Sequence, residues 1–130
     1  MGTTQIPSGL RALINAFGNA IISVNRDGRF VVWYPGAERL FGYSPAEALG
    51  GLLDLIIPPE SRKAHWKGFH EAMRLNRTRL GSNEIHVPML RKDQSRFPGT
   101  LTIGVVKGKN GRIENIGAII REDAERRYDQ

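Results

Sequence analysis

Cysteine is absent from the 130 residues. Its absence excludes disulfides, thiolate metal ligands, a cysteine nucleophile and flavin–cysteinyl photochemistry. No apolar run approaches the roughly 18 residues of a membrane-spanning helix. The opening MGTTQIPSGL has neither the charged nor the apolar region of a secretory signal, so the chain is expected to stay in the cytoplasm with no membrane partner. Low-complexity tracts and internal repeats are also missing. Acids are scarce between Ser61 and Leu80, where Arg62, Lys63, Lys67, Arg74, Arg77 and Arg79 stand against Glu71 alone. Without a helix-turn-helix, zinc-finger or RNA-recognition signature, that excess reads as a solvated helix face, and no nucleic-acid partner is expected. No nucleophile stands beside a base, no metal cluster is spaced for ligation, and GKNG is a hairpin turn rather than a phosphate loop, so no enzyme is expected.

What is present suits one globular domain. The chain is 40% hydrophobic and 25% charged, with a net charge of +6, and a chain of this length buries about two thirds of its unfolded surface. Residues 8–17 carry Leu10, Leu13, Ile14 and Phe17 at helical spacing, which predicts a short amphipathic helix. AIISV (20–24) and RFVVW (29–33) flank Asn25-Arg26-Asp27-Gly28 and predict a β-hairpin. The pattern then turns helical: AERLF stops at Gly42, and Ser44-Pro45-Ala46-Glu47 is a complete helix start with a capping box. LLDLII (52–57) runs into Pro58-Pro59, and a longer helix from there to about Asn76 contains RKAHWKGFHEAM.

Beyond it the chain is strand-like. Ile85, Val87 and Met89 alternate with Glu84, His86 and Pro88, FPGTLTIGVV follows the turn 92–95, and RIENIGAII follows Lys109-Asn110-Gly111. The order predicts an α+β fold in which a helical block covers one face of an antiparallel sheet. Residues 1–7 read as a flexible N-terminus, 8–121 as the domain, and 122–130 as an exposed tail or the start of a connecting helix.

These elements in this order resemble a PAS domain. The resemblance rests on Asp27-Gly28 after the first strand, GAERLFGYSPAEALGG (36–51), the IIPP turn at 56–59, LRKDQSRFP (90–98) and the closing NIGAIIREDAE. It implies a five-stranded sheet and a helical block enclosing a ligand pocket, in a sensor or interaction module. Two positions depart from the family pattern. Tyr34 replaces an asparagine that caps the following helix, leaving Pro35 and Gly36 to set that turn. Gln94 replaces a glycine, and a glutamine adopts positive φ less readily.

Within the family the chain is most similar to haem-binding oxygen sensors of rhizobial type. That similarity implies haem b with His65 as proximal axial ligand, since a helical histidine reached through a proline turn is the iron ligand there. Helical spacing puts His65 in line with Gly68, Phe69 and Ala72. The same positional match implies apolar pocket walls at Leu80, Leu101 and Ile103, and Arg79 near a haem propionate. Ile85 falls where those sensors carry an arginine that hydrogen-bonds O₂. An isoleucine donates nothing, which implies weaker preference for O₂ and CO, NO or redox state as signals. Met89, on the same strand face, is a possible soft ligand or core filler. His70 and His86 read as surface residues, and Trp33 and Trp66 chiefly as packing, with a pocket-edge or partner contact as the alternative for Trp66.

Another reading stands beside this one. A histidine on an apolar helix face is often a core residue bonded to a backbone carbonyl, so the pocket holds haem, an unknown small apolar ligand, or nothing. In the last case the chain is a cofactor-free interaction and dimerisation module. The resemblance also implies a homodimer through the N-terminal helix and sheet face, and a downstream signalling domain or partner protein.

Overall fold

The computed structural model describes residues 8–16, 18–78 and 84–123. Arg79, Leu80, Phe17 and the segments 1–7 and 124–130 lie outside the described residues. In chain order come α1 (Ser8–Ala16), β1 (Ala20–Val24), β2 (Phe30–Trp33), α2 (Pro35–Phe41), α3 (Pro45–Ala48), two 3₁₀ turns (Leu53–Ile56 and Pro59–Ser61), α4 (Arg62–Leu75), β3 (Ile85–Leu90), β4 (Arg96–Lys107) and β5 (Ile113–Glu122). The strands form one sheet in the order β2-β1-β5-β4-β3, with every neighbouring pair antiparallel.

The alternation in the strands sets which side chains face the helices. On β1, Ala20, Ile22 and Val24 point inward and are buried, opposite Ile120, Ala118 and Ile116 of β5. The same rungs continue through Leu101, Ile103 and Val105 of β4, and Ile85 of β3 lies opposite Leu101. Phe30, Phe41 and Phe97 complete the core at 1% exposure or less. Pro88 is accommodated because β3 is an edge strand, where a missing N–H costs no ladder bond.

The helical block is punctuated as its sequence dictates. Tyr34 makes no side-chain cap, and Pro35 at the first helical position starts α2, which ends on Gly42 at φ 89°. Ser44 accepts from the Glu47 N–H while the Glu47 carboxylate accepts from the Ser44 N–H at 2.9 Å, so the capping box of α3 is complete. The long helix differs slightly from the expectation. Pro59–Ser61 is a 3₁₀ turn, and the α-helix proper begins at Arg62. Arg62 is also not a solvated cation: its guanidinium donates to the carbonyls of Ile57 and Asp54 at 3.0 and 3.2 Å, binding the helix to the preceding turn. At the other end Asn76 takes a left-handed conformation. Its amide donates to Gly111 O and accepts from the Ile113 N–H, both at 2.8 Å, which fastens α4 to the β4–β5 turn.

The three hairpin turns share one geometry. In 25–29, 91–95 and 108–112, the first residue's N–H bonds the fifth residue's carbonyl, and the fourth residue's N–H bonds the first's. The fourth position has positive φ in each: 77° at Gly28, 74° at Gln94 and 79° at Gly111. Gln94 therefore takes up a conformation that costs a side-chain-bearing residue about 1–2 kcal/mol, offset in part by the entropy a glycine would lose on folding. Gln94→Gly is expected to stabilise the fold by about 0.5–1 kcal/mol, read as a higher urea midpoint at unchanged slope.

Candidate functional site

Helix α4 presents two faces. Lys63, Lys67 and Arg74 are exposed, whereas Phe69 and Met73 are buried at 6% exposure each. His65 lies at the edge of the buried face, half-buried, with Phe69 stacked beside it at 6.1 Å between centroids. Ala72 shares that face, while Gly68 is exposed. At 100° per residue Gly68 falls beyond the stripe centred on Phe69, which corrects the simple i, i+3 alignment.

Aromatic contacts hold the imidazole. Its Nδ1 is buried and has no partner among the described residues. Burial is the main reason its pKa lies below the ordinary histidine value; the Asp54 carboxylate opposes that shift and His70 adds to it. A neutral ring is the form that can ligate a metal or accept a hydrogen bond.

Trp66 stands beside His65, and the contacts that hold it there were not foreseen from sequence. Its indole N–H donates to Asp54 Oδ1 at 2.6 Å, and its ring meets His65 edge-on at 5.4 Å. The ring's far side lies against the β1–β2 turn so closely that a Cβ on Gly28 would fall 2.3 Å from it. His70 stacks on the outer face of Trp66 at 5.7 Å and is itself exposed. Only the meeting of Asp54, Trp66 and Gly28 in space reveals this arrangement.

Across from α4, the sheet brings Ile85 and Leu101 together on one rung, with Ile103 two residues along the same strand. Leu101 is 9% exposed, and Ile85 and Ile103 are half-buried members of the core margin. Met89 is further along β3, 4% exposed, with its thioether packed over Gly99, where a Cβ would lie 2.7 Å from the sulfur. That is core filling. Trp33 is core too, its N–H bonded to Tyr43 O at 2.9 Å. His86 points to the outer sheet face, as its alternation with Ile85 and Val87 requires.

Among the described residues, no three of His, Asp and Glu gather as a metal site, and no helix is long and apolar enough to cross a membrane. A surface cleft of about 410 Å³ between the end of α2 and the β3–β4 turn is lined by Arg39, Arg91 and Lys92 with Leu40, Phe41, Gly42 and Asp93. Two of its cations are compensated, Lys92 by Glu47 and Arg91 by Glu122.

The sequence pattern of the PAS domain family matches residues 18–122. The chain belongs to the PAS domain family. Among its relatives, the sensor protein FixL of Bradyrhizobium diazoefficiens is 28% identical over 99 residues, covering 73% of this chain and 19% of that protein. The oxygen sensor protein DosP of Escherichia coli is 28% identical over 83 residues, 64% of this chain and 10% of DosP. An uncharacterized protein of Azorhizobium caulinodans is 26% identical over 117 residues, 89% of this chain and 16% of its own length. The chain thus spans less than a fifth of each of these relatives.

Solved structures agree on the PAS fold. The PAS domain of a Colwellia psychrerythraea protein superimposes with a TM-score of 0.74 at 22% identity, covering 90% of this chain and 98% of that one. A light-oxygen-voltage domain superimposes with a TM-score of 0.69 at 20% identity, covering 92% and 87%. PAS domains are typically sensory rather than catalytic.

The depressed pKa of His65 has a consequence for stability. The folded state binds this proton less readily than the unfolded chain, so the contribution is present above the unfolded value of roughly 6.5 and is lost as pH falls. The denaturation midpoint of the ligand-free PAS domain is expected to drop from pH 7 to pH 5, and to drop less in His65→Phe. Equal declines would remove His65 as the cause.

Proposed function

We propose that this PAS domain is a ligand-binding sensor, with its pocket between α4 and the inner face of β3 to β5 and haem b as the group bound through His65. The observation that carries this reading is the buried, unpartnered Nδ1 of His65. Leaving a buried polar atom unsatisfied costs about 1–3 kcal/mol, and a ligand gives the ring a role that offsets this. The residues fit haem better than a bare ion. A porphyrin itself supplies four ligands, so one imidazole suffices where no three-residue cluster exists among the described residues.

Haem would bring a redox-active, gas-binding iron to the pocket. The chain's own residues do the rest. Phe69 and Trp66 flank the imidazole and restrict its rotation, and burial keeps it neutral. Ile85, Leu101 and Ile103 form an apolar wall that excludes water and donates no hydrogen bond, which favours CO, NO or redox state over O₂ as the signal. Arg79 as propionate partner and Leu80 as a further wall are part of the proposal. The kinship with two named sensors supports it.

Output belongs to the same proposal. Leu10 and Leu13 of α1 are 49% and 52% exposed, which supports a homodimer through α1 and the outer sheet face, coupled in the cytoplasm to a signalling domain or partner protein. Those exposed leucines, together with the aromatic packing around His65, equally favour a second reading: a cofactor-free interaction module in which His65 is a core ring.

Absorption spectroscopy separates the two. Protein produced with haem supplied is expected to show a Soret band that is lost in His65→Ala while circular dichroism stays unchanged. A folded wild-type protein that remains colourless through a haem titration would leave the interaction module.

A further inference from the structure

The last three residues of the sheet are each held by a different polar partner on the side away from the pocket or at its end. Arg121 pairs with Glu84 at 3.4 Å. Glu122 pairs with Arg91 at 2.6 Å, and Arg91 also donates to Leu40 O of α2 at 3.3 Å. Asp123 continues the β4 pairing through its N–H, which donates to Pro98 O at 2.8 Å.

Among its contacts, the side chain of Asp123 receives a directed chain of hydrogen bonds. Thr100, only 2% exposed, bonds Asp123 Oδ2 through its hydroxyl at 3.3 Å. An ionised carboxylate only accepts, so the hydroxyl proton points to Asp123 and the hydroxyl oxygen accepts from elsewhere. The group at that oxygen is His86 Nδ1, 3.0 Å away. The network therefore assigns the neutral ring's proton to Nδ1 and leaves Nε2 to take up a second one. Protonation turns a neutral donor into a charged one, roughly doubling the strength of the bond it donates. The ring nitrogen also lies 3.8 Å from the Asp123 carboxylate, so the added charge acts on that carboxylate directly.

Among the described residues, the other charged groups on this face form a pair of their own. On the outer face His86 has Glu84 two residues before it on its own strand, and Arg121 on the far side of Thr100; those two pair with each other. Beyond Arg121 comes Asp123. Thr100 is the residue of β4 opposite His86 and carries no charge.

The geometry points to a protonation-sensitive clamp on the end of the last strand: His86, through Thr100, holds Asp123 against the sheet, tightly as imidazolium and loosely as the neutral ring. The clamp residues alternate with inner-face residues on the same three strands, His86 with Ile85, Thr100 with Leu101, and Arg121 with Ile120. Asp123 is thus gripped from directly behind the inner face of the sheet. This device does not depend on what fills the pocket.

Amide hydrogen exchange of the ligand-free chain tests it. After correction for intrinsic rates, protection of the Asp123 amide, which donates to Pro98 O, is expected to fall about fivefold from pH 5.5 to pH 8 in the wild type. His86→Gln, which keeps a neutral donor, and Asp123→Asn are expected to flatten that dependence while amides of β1 keep wild-type protection. A pH dependence that persists in both variants, or a flat profile in the wild type, would overturn the clamp.

Discussion

Five rungs join the first strand of the sheet to the last, from Ala20 opposite Ile120 to Val24 opposite Ile116, and the intervening chain has to return over one face to make that closure. Both partners lie in the middle of the sheet, with β2 outside one and β4 and β3 outside the other. The short helices between Pro35 and Leu75 cover the inner side, where alternate residues of five strands are apolar. α4 is tied to the sheet region through Asn76 at one end and to the preceding turn through Arg62 at the other, so its central residues face the strands.

Within that frame His65 is the unusual group. Its neighbours Phe69 and Trp66 are themselves fixed, the first by burial and the second by Asp54 and the close approach of Gly28. The aromatic rings restrain the imidazole, whose Nδ1 has no partner among the described residues. Trp66 links His65 to the β1–β2 turn, because it touches both. On the sheet, the strands that carry Ile85, Leu101 and Ile120 lead outward to the residues that hold Arg121, Glu122 and Asp123.

Much of this was legible residue by residue. Strand alternation identified Ile85 as inward, the resemblance pointed to Leu101 and Ile103, the capping box of Ser44 and Glu47 located α3, and Gly42 and Gly111 marked their turns. Gln94 was singled out as less ready for positive φ, with a local change of the loop expected, yet it adopts the conformation that glycines take at the same position of the other two hairpins. Arg62 was not legible. A cation in a basic run looks solvated until the carbonyls of Ile57 and Asp54 are seen to converge on it. Trp66 was similarly opaque, because its hydrogen bond and its contact with Gly28 span long stretches of chain.

The sequence by itself determined what depends on neighbours a few residues apart: helix starts, turn positions, the periodicity of each strand, and the family to which those elements in order belong. Local φ preferences and side-chain periods act over a single turn or strand, so they can be read without coordinates. Tertiary structure alone decided which strands pair, that Nδ1 of His65 is buried and unpartnered, and that His86, Thr100 and Asp123 meet in one hydrogen-bonded line. Each of these depends on groups brought together by sheet closure, where burial and distance, rather than residue type, set whether a polar atom finds a partner.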